Sequence, residues 1–382
     1  METRKLYYED CHLSQFTATV LGCEQTGKGF EIILDATAFY PEGGGQAADT
    51  GFLNGIRVLH TKEAGEAVVH LCDRALEVGA QVTGCIDYEN RFDRMQQHTG
   101  EHIVSGIINH RYGYHNTGFH MSTDVITIDF DGVIPAGDLP EIELEANRAV
   151  WGNTPVRCWI PTPEQLPDVF YRTKRELPWP VRIVEVPGFD SCACCGVHVA
   201  STGEIGIIKL ISTVGFRGGT RMEIACGRQA YRLMNTVFDQ NRLVSQAFSA
   251  HITQTGEAAQ RMNEVLAQQK FRIAGLEKRV FEGIAKGYAD AGNVVHFEEN
   301  LDSTAVRELA DVIAENCGGT AAVFSGDDNT GYAFCLVTRE GDLRQLCKDM
   351  NAALHGRGGG KPNFQQGRVQ ASKAEIEAFF NK

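Results

Sequence analysis

Hydrophobic and polar residues alternate through the first 88 or so residues, with the two-residue period of half-buried strands. Turns that contain glycine separate five such runs: FTATVLGCEQ, GFEIILDAT, GIRVLHTKEAG, EAVVHLC and QVTGCID. Short strands at this regular spacing are typical of small closed or nearly closed sheets. Residues 1–88 are therefore predicted to form a small β-barrel.

From about Asn90 the apolar residues recur at helical spacing. The pattern predicts a helix from Asn90 to His110, with Asn90 or Asp93 as its N-cap and Gly113 just past its end. Four further elements are predicted: a strand at 125–130, a helix at 139–152, and strands at 181–186 and 205–212. Strands and helices mixed in this way indicate an α+β core over residues 89–222.

Residues 228–286 contain no proline and carry apolar residues at helical spacing. This segment predicts two helices, or one helix broken near Thr255–Gly256, which could pair as a coiled-coil hairpin. We assign residues 223–286 to a helical linker.

The last part of the chain, residues 287–382, is predicted to be a compact α/β domain. The expected elements are strands at 293–297, 320–325 and 331–337, helices at 302–316, 342–354 and 372–381, and a Gly-rich loop before the last helix. The whole chain is thus predicted to be an α+β protein of several domains.

Composition narrows the class of protein. With 43% hydrophobic and 22% charged residues, the 382-residue chain is expected to fold around buried cores. No apolar run approaches the roughly 18 residues of a membrane helix, and the start METRKLYYEDCH is unlike a signal peptide, so we expect a cytoplasmic protein without a membrane partner. The 12 cysteines of such a chain are expected to be reduced, with one metal site.

The formal charge of −13 argues against a nucleic-acid partner, but the charge is uneven. Residues 221–286 carry 4 more basic than acidic residues, and residues 356–382 carry 3 more. These two basic segments leave an RNA partner open without demonstrating one.

Two residue pairs, one His-His and one Cys-His, have metal-ligand spacing. His98 and His102 are four residues apart in the predicted helix, so both imidazoles lie on one face, and Cys194 and His198 repeat the four-residue offset. Either pair alone is weak evidence, but a thiolate with three imidazoles suits zinc rather than magnesium or calcium. Cys192 and Cys195 are alternative thiolates.

Three consecutive glycines, Gly43, Gly44 and Gly45, precede Gln46 inside the predicted barrel. A backbone without side chains is useful where a ligand or another backbone must come close. A flexible hairpin loop would explain the same residues equally well.

Four motifs resemble those of one family: QQHTGEHI, CCGVHVASTGEIG, FYPEGGGQAADTG and HGRGGGKPN. The first three are similar to the editing domain of alanyl-tRNA synthetase and to its free-standing relatives, the AlaX proteins. The fourth resembles the Gly-rich signature of the synthetase's C-terminal domain. No aminoacylation domain precedes the predicted barrel, so we expect an editing module separate from its synthetase.

The resemblance implies zinc bound by His98, His102, Cys194 and His198, and hydrolysis of alanine tRNA mischarged with serine or glycine. Glu101 stands where the synthetase pattern usually has threonine. It could act as a base, hydrogen-bond a zinc ligand, or face solvent.

The segment Asn116–His120 lines the amino-acid pocket in the relatives, so Thr117 and His120 are candidate site residues. Thr117 is our first choice for contact with the serine hydroxyl, although a turn entering the next strand is equally consistent. On this hypothesis Thr117→Val lowers the ratio of deacylation rates for the serine and alanine esters.

Transfer RNA is the expected partner. We expect Arg221 and the basic helical segment to contact phosphates, and the loop from Arg357 to Lys361 to contact another part of the tRNA, because a glycine backbone (Gly358, Gly359, Gly360) can approach phosphate closely. The helices of residues 228–286 could instead form a homodimer.

Two other functions compete with editing. His98-x-x-Glu101-His102 matches the inverted zinc-peptidase pattern, which also requires a downstream acidic ligand. Alternatively, the protein is a zinc-stabilised tRNA-binding or assembly module without hydrolase activity.

Overall fold

The computed structural model describes residues 2–122, 125–173 and 177–381. In these ranges it has several sheets and seven α-helices, which confirms a mixed α+β protein of several domains. The chain divides into two compact units, Met1–Leu243 and Val244–Lys382. Within the described ranges, no helix combines the length and apolar character that crossing a bilayer requires.

The N-terminal part of the first unit is built from strands. They are β1 (Arg4–Lys5), β2 (Gln15–Thr26), β3 (Gly29–Leu34), β4 (Ala36–Thr37), β5 (Gly51–Leu53), β6 (Ile56–Ala64), β7 (Ala67–Cys72) and β8 (Gln81–Ile86). Six of them close into a barrel in the order β2-β3-β7-β6-β5-β8, and β1 pairs with β4. The short strand β5, which contains Gly51, was not predicted.

Every second side chain along the barrel strands points into the barrel interior and fills it. On β2 the side chains of Phe16, Ala18 and Val20 are buried, whereas the intervening Thr17 and Thr19 are not. Ile32 and Leu34 of β3 join the same apolar cluster. The two-residue period read from the sequence therefore corresponds to one face of each strand turned inward.

The rest of the first unit surrounds one long helix. Its elements are α1 (Tyr88–Tyr112), β9 (Asn116–Met121), β10 (Ile126–Phe130), α2 (Leu139–Trp151), β11 (Arg157–Trp159), β12 (Ile183–Val186), β13 (Asp190–Ala193), β14 (Ile208–Phe216) and β15 (Gly219–Cys226). Two antiparallel sheets result, β14-β15-β10-β9 and β11-β12-β13. Short 3-10 turns lie at Leu6–Tyr8, Ala136–Asp138, Leu166–Asp168 and Thr202–Ile205.

Helix α1 begins earlier than predicted, and neither Asn90 nor Asp93 is its cap. Asp87 is the N-cap, and its side chain accepts a hydrogen bond from the Asn90 backbone N–H. Asp93 instead accepts a hydrogen bond from Arg228, at 2.7 Å. At the other end, Gly113 adopts the left-handed conformation with φ 72° and caps the helix as predicted.

Close packing around α1 requires glycine. A Cβ at Gly106 would overlap the backbone carbonyl of Phe189, and one at Gly100 would overlap the Cys226 side chain. The absent side chains allow the start of β13 to lie directly against the helix, which brings Asp190 within reach of His102.

The predicted linker contains two helices, α3 (Gly227–Ala247) and α4 (Thr255–Lys286), interrupted at residues 248–254. Large apolar side chains of α4, including Val265, Phe271 and Leu276, are exposed in the described chain. The coiled-coil pairing and the homodimer through residues 228–286 stay predictions.

The second unit continues with a five-stranded sheet and flanking helices. These are β16 (Gly292–Glu298), α5 (Ser303–Cys317), β17 (Gly318–Asp327), β18 (Gly331–Thr338), α6 (Arg344–Ala353), β19 (Arg357–Lys361), β20 (Phe364–Val369) and α7 (Lys373–Phe380). The sheet order is β16-β17-β18-β20-β19, in which β16 and β17 are parallel and the other pairs antiparallel.

The predicted Gly-rich loop is instead the edge strand β19 with its turn. It pairs with β20, and Gly358 lies opposite Gly367. A Cβ at Gly358 would overlap the Gln366 carbonyl and the Phe334 ring. The glycines thus let the edge strand β19 pack tightly against its neighbours. Because the strand has no alternating apolar residues, its sequence looks like that of a loop.

Candidate metal centre

Four side chains from distant parts of the first unit converge on one point. His98 and His102 lie on α1, Cys194 directly follows β13, and His198 is four residues further on. One ligand atom from each lies within 4.8 Å of the others. His98 Nε2 and Cys194 Sγ are 3.4 Å apart. Two ligand atoms of one tetrahedral zinc ion are expected to lie about 3.5 Å apart.

Each imidazole is oriented by an oxygen at its outer nitrogen. His98 Nδ1 lies 3.0 Å from Gln46 Oε1, His102 Nδ1 lies 3.0 Å from Asp190 Oδ2, and His198 Nδ1 lies 3.2 Å from Thr99 Oγ1. With Nδ1 held in this way, all three Nε2 atoms are left to bind an ion, as in many metal sites.

The donor atoms fit a zinc ion. His198 Nε2 is buried and has no hydrogen-bond partner among the described residues, and a buried polar atom without a partner is costly. Burial alone would raise the pKa of the Cys194 thiol, but its interactions with the neighbouring imidazoles of His98, His102 and His198 lower it well below its ordinary value. A thiolate with imidazole nitrogens is the set that zinc prefers.

Asp190 links this centre to a partly buried cation, Arg172. Its carboxylate receives two hydrogen bonds from Arg172, at 2.6 and 2.9 Å. Burial opposes ionisation of Asp190, whereas the hydrogen bonds from His102 and Arg172 lower its pKa below the ordinary value. The arginine therefore keeps the carboxylate charged, and the carboxylate fixes the His102 ring.

The segment that carries Cys194 is held from outside. Arg182 donates to the carbonyl oxygens of Cys194 and Gly196, at 2.8 and 2.9 Å, and the Tyr8 hydroxyl donates to the Cys195 carbonyl at 2.7 Å. The Gly196 N–H lies 3.3 Å from Cys194 Sγ. These contacts place Cys194, rather than the exposed Cys195, at the centre. Cys192 lies in a second group with His102 and Asp190.

The Gly-rich segment contributes Gln46. Gln46 Oε1 accepts from His98 Nδ1 and also from the Val197 N–H at 3.2 Å, so one amide connects both halves of the centre. Gly45 has φ 83°, and a Cβ there would contact the Phe119 ring at 2.6 Å. Gly45 is therefore needed for the close approach of this segment to Phe119.

A cleft of about 540 Å³ opens beside the centre. Its lining combines candidate metal ligands with polar and apolar groups from α1, β9, β13 and the loops around them: Gly44, His98, Glu101, His102, His115, Asn116, Phe119, Arg172, Thr173, Leu177, Cys192, Ala193, Cys194 and Cys195. Glu101 is buried, 4% exposed, which excludes the solvent-facing interpretation.

Thr117 and His120 are exposed and are absent from the cleft lining, whereas Asn116 and Phe119 belong to it. The cause is an irregularity in β9: Phe130 pairs with Asn116 and Asp129 with Gly118, so Thr117 is an extra residue that shifts the alternation. The Thr117 hydroxyl donates to the Asp129 carbonyl at 3.2 Å.

The predicted tRNA contacts do not join the cleft lining. Arg221 lies on β15, donates two hydrogen bonds to Asp129 at 2.7 and 2.8 Å, and stacks on Phe216. Strand β19, from Arg357 to Lys361, is exposed along its whole length in the second unit.

Sequence reasoning missed Thr99, Arg172 and Asp190, which orient the ligands or their partners. Thr99 lies between the two histidines of α1, where spacing gave no signal for it. Asp190 and Arg172 are an ordinary acid and base in the sequence, and only the fold brings them to His102.

We predict that Gly196→Ala weakens zinc binding about 10- to 100-fold, the usual cost of disturbing groups that orient metal ligands. A Cβ at this position would overlap the His98 ring and press on Gln46. Competition with a chromophoric chelator measures the affinity. Gly215→Ala is the control, because its Cβ would meet open space. Equal affinity in both variants would contradict the prediction.

Three family models match the chain. The model described as tRNA synthetases class II (A) matches residues 3–90, the threonyl and alanyl tRNA synthetase second additional domain matches residues 181–222, and the DHHA1 domain matches residues 290–382. The second match contains Cys194 and His198. Helices α3 and α4 lie between the second and third matches.

Curated relatives extend this similarity to nearly the whole chain. The alanyl-tRNA editing protein AlaX-L of Pyrococcus horikoshii is 28% identical over 97% of this chain and 96% of its own length. The alanyl-tRNA editing protein Aarsd1 of Danio rerio is 24% identical over 98% of this chain and 96% of its own length. The chain is thus similar to proteins named alanyl-tRNA editing proteins over nearly its whole length.

An alanine–tRNA ligase of Thermofilum pendens is 32% identical over 97% of this chain, but the chain spans only 43% of that ligase. The alanyl-tRNA editing proteins are therefore similar to this chain from end to end, and the ligase over less than half of its length. Any function suggested by these relatives must account for the side chains that converge at the metal centre.

Proposed function

We propose that this protein is a trans-acting aminoacyl-tRNA deacylase that hydrolyses the ester of serine, and of glycine, mischarged on tRNA(Ala). The observation that carries the proposal is the convergence of His98, His102, Cys194 and His198 beside an open cleft. Full-length similarity to proteins named alanyl-tRNA editing proteins supports the substrate class.

The four side chains would hold a zinc ion, with Gln46, Thr99 and Asp190 keeping the imidazoles in place. A bound zinc ion would supply Lewis acidity, which polarises an ester carbonyl and lowers the pKa of a bound water to about 7. Four protein ligands are typical of closed structural sites, so an open position requires a loosely held ligand or five-coordination. Cys194 is the ligand most open to the cleft, because the three histidines are buried and it is not.

Selectivity requires a site that recognises the serine hydroxyl, because a pocket shaped for a methyl group rejects an added hydroxyl weakly. Asn116 is buried and lines the cleft, so its amide is positioned to contact the bound amino acid. Its neighbour Thr117 points its hydroxyl to a backbone carbonyl.

We therefore expect Thr117→Val to leave the serine-versus-alanine deacylation ratio within about twofold of that of the natural protein. This change is smaller than the loss of one hydrogen bond to the substrate would cause. This proposal differs from the expectation drawn from the sequence, because the Thr117 side chain is exposed and outside the cleft lining. Paired rates on seryl- and alanyl-tRNA(Ala) test it. A tenfold or larger fall in the ratio would return Thr117 to the substrate site.

For tRNA itself, we propose that Arg357 and Lys361 contact phosphates from the exposed strand β19, where glycines leave the backbone accessible. Arg221 is a weaker candidate, since Asp129 already engages its guanidinium. Loss of phosphate contacts would lower affinity and reduce its salt dependence.

The test of the proposed function is a deacylation assay on seryl-, glycyl- and alanyl-tRNA(Ala), with and without a zinc chelator. We expect the serine and glycine esters to be cleaved, the alanine ester to survive, and chelation to abolish cleavage. Stable esters in the presence of zinc-loaded protein would refute hydrolase activity.

The same assay addresses the second candidate, a zinc-stabilised tRNA-binding module, which the four-ligand centre favours. A pure binder would protect the seryl ester from spontaneous hydrolysis. The peptidase hypothesis is disfavoured, because the remaining members of the cluster are Cys194 and His198 rather than an acidic residue.

A further inference from the structure

Glu101 is a buried carboxylate that forms no salt bridge in the described ranges. It is 4% exposed, and its Oε1 accepts hydrogen bonds from the Ser105 hydroxyl at 2.5 Å and from Asn116 Nδ2 at 2.6 Å. Both partners are neutral donors, so neither hydrogen bond brings a positive charge to the carboxyl group. Arg172, a partly buried arginine that also lines the cleft, interacts electrostatically with Glu101 but donates its hydrogen bonds to Asp190. A buried charge of this kind is costly unless a partner joins it.

Asn116 presents a second acceptor at the same place. Because its Nδ2 donates to Glu101, the amide oxygen must point the other way. Asn116 Oδ1 is buried and has no hydrogen-bond partner among the residues that the structure describes. Glu101 and Asn116 both line the cleft that also contains His98 and Cys194.

The two side chains thus offer a carboxylate and, beside it, an unused amide acceptor to which no described residue donates a hydrogen bond. Their natural complement is a small group with several N–H donors and a positive charge, since charge-assisted hydrogen bonds are the stronger ones. The α-ammonium group of an aminoacyl ester has this chemistry and lies one carbon from the ester carbonyl.

We propose that Glu101 and Asn116 form a binding site for the α-ammonium group of the aminoacyl ester, so that the protein acts on free aminoacyl esters and rejects esters whose amino group is acylated. The proposal rests on the proposed deacylase function. It assigns Glu101 to substrate binding rather than to proton transfer. Acylation of the amine removes the charge and adds bulk, and both changes leave the buried carboxylate unpaired.

The experiment compares seryl-tRNA(Ala) with N-acetylseryl-tRNA(Ala), each rate divided by the spontaneous hydrolysis rate of the same ester. We expect the natural protein to favour the free amine by at least about 30-fold, the lower end of what losing one partner of a buried charge pair costs. Glu101→Gln should reduce this preference to a few-fold, while Glu89→Gln, an exposed change on the same helix, should keep it.

A second measurement does not depend on turnover or on a variant. Binding of a nonhydrolysable 3′-amide analogue of seryl-adenosine to the natural protein should be at least about 30-fold tighter than binding of its N-acetyl form. Zinc content is measured for each variant, and a Glu101→Gln protein that lacks zinc is set aside in favour of this binding comparison.

The two failures are distinguishable. If the natural protein cleaves neither ester, the proposed function fails. If it cleaves both esters with equal acceleration, or binds both analogues equally, the deacylase function stands and the ammonium site is overturned. A preference that survives intact in zinc-loaded Glu101→Gln overturns the role of Glu101.

Discussion

Cys194→Ser is expected to remove zinc from the protein and to lower the rate of seryl-tRNA(Ala) hydrolysis by more than about 100-fold, because loss of a ligand exceeds the 10- to 100-fold cost typical of the groups around a metal site. Cys194 supplies the only thiolate in the cluster with three imidazoles in the described chain, and its segment is fixed by Arg182 and Tyr8. Serine is a weaker zinc ligand, since its hydroxyl ionises far less readily.

Two neighbouring cysteines provide matched controls for this change. Cys195→Ser should retain zinc and activity, because Cys195 is exposed and interacts through its backbone carbonyl. Cys192→Ser tests the alternative group of His102, Asp190 and Cys192. Zinc content by elemental analysis separates the cases. Zinc lost in Cys192→Ser and kept in Cys194→Ser would move the ion to that alternative group.

The fold was predictable where one periodicity dominates. The five long runs of the barrel and most of helix α1 follow directly from alternating or helical spacing. Strand β5 has three residues, too few to show a period, and β19 consists of glycines between two basic residues. Such elements are determined by their hydrogen-bonded neighbours, which no local pattern records.

The candidate site was predictable in its ligands and less so in its surroundings. The four-residue offsets of His98–His102 and Cys194–His198 predict the metal centre from the sequence alone. The face on which a residue of β9 lies depends on the irregularity at Thr117, which exchanges the expected positions of Thr117 and Asn116. Asp190 reaches His102 only because Gly106 lets two backbones touch. Both effects belong to packing between elements.

Arg91→Met is expected to lower the free energy of unfolding of the first unit by about 3–5 kcal/mol, the usual cost of removing one partner of a buried ion pair. Arg91 and Asp49 are fully buried and form an ion pair, and Arg91 also donates to the Ala38 carbonyl at 2.5 Å. Urea unfolding followed by tryptophan fluorescence reports on this unit, because Trp151, Trp159 and Trp179 all lie within it.

The double variant Arg91→Met with Asp49→Asn distinguishes the loss of packing from the cost of a buried carboxylate left with only Arg94, 3.7 Å away. Asparagine still accepts the hydrogen bond that the Tyr40 N–H donates to Asp49 at 2.7 Å but carries no charge, so the double variant should be more stable than Arg91→Met alone. Arg4→Met removes an exposed pair with Glu9 and should leave the midpoint unchanged. If both Arg91 variants are equally unstable, packing and not the stranded carboxylate explains the loss. The Asp49 N–H also donates to the Tyr40 carbonyl and so closes the segment that carries Gln46. Because Gln46 orients His98, Arg91→Met alone should bind zinc more weakly as well.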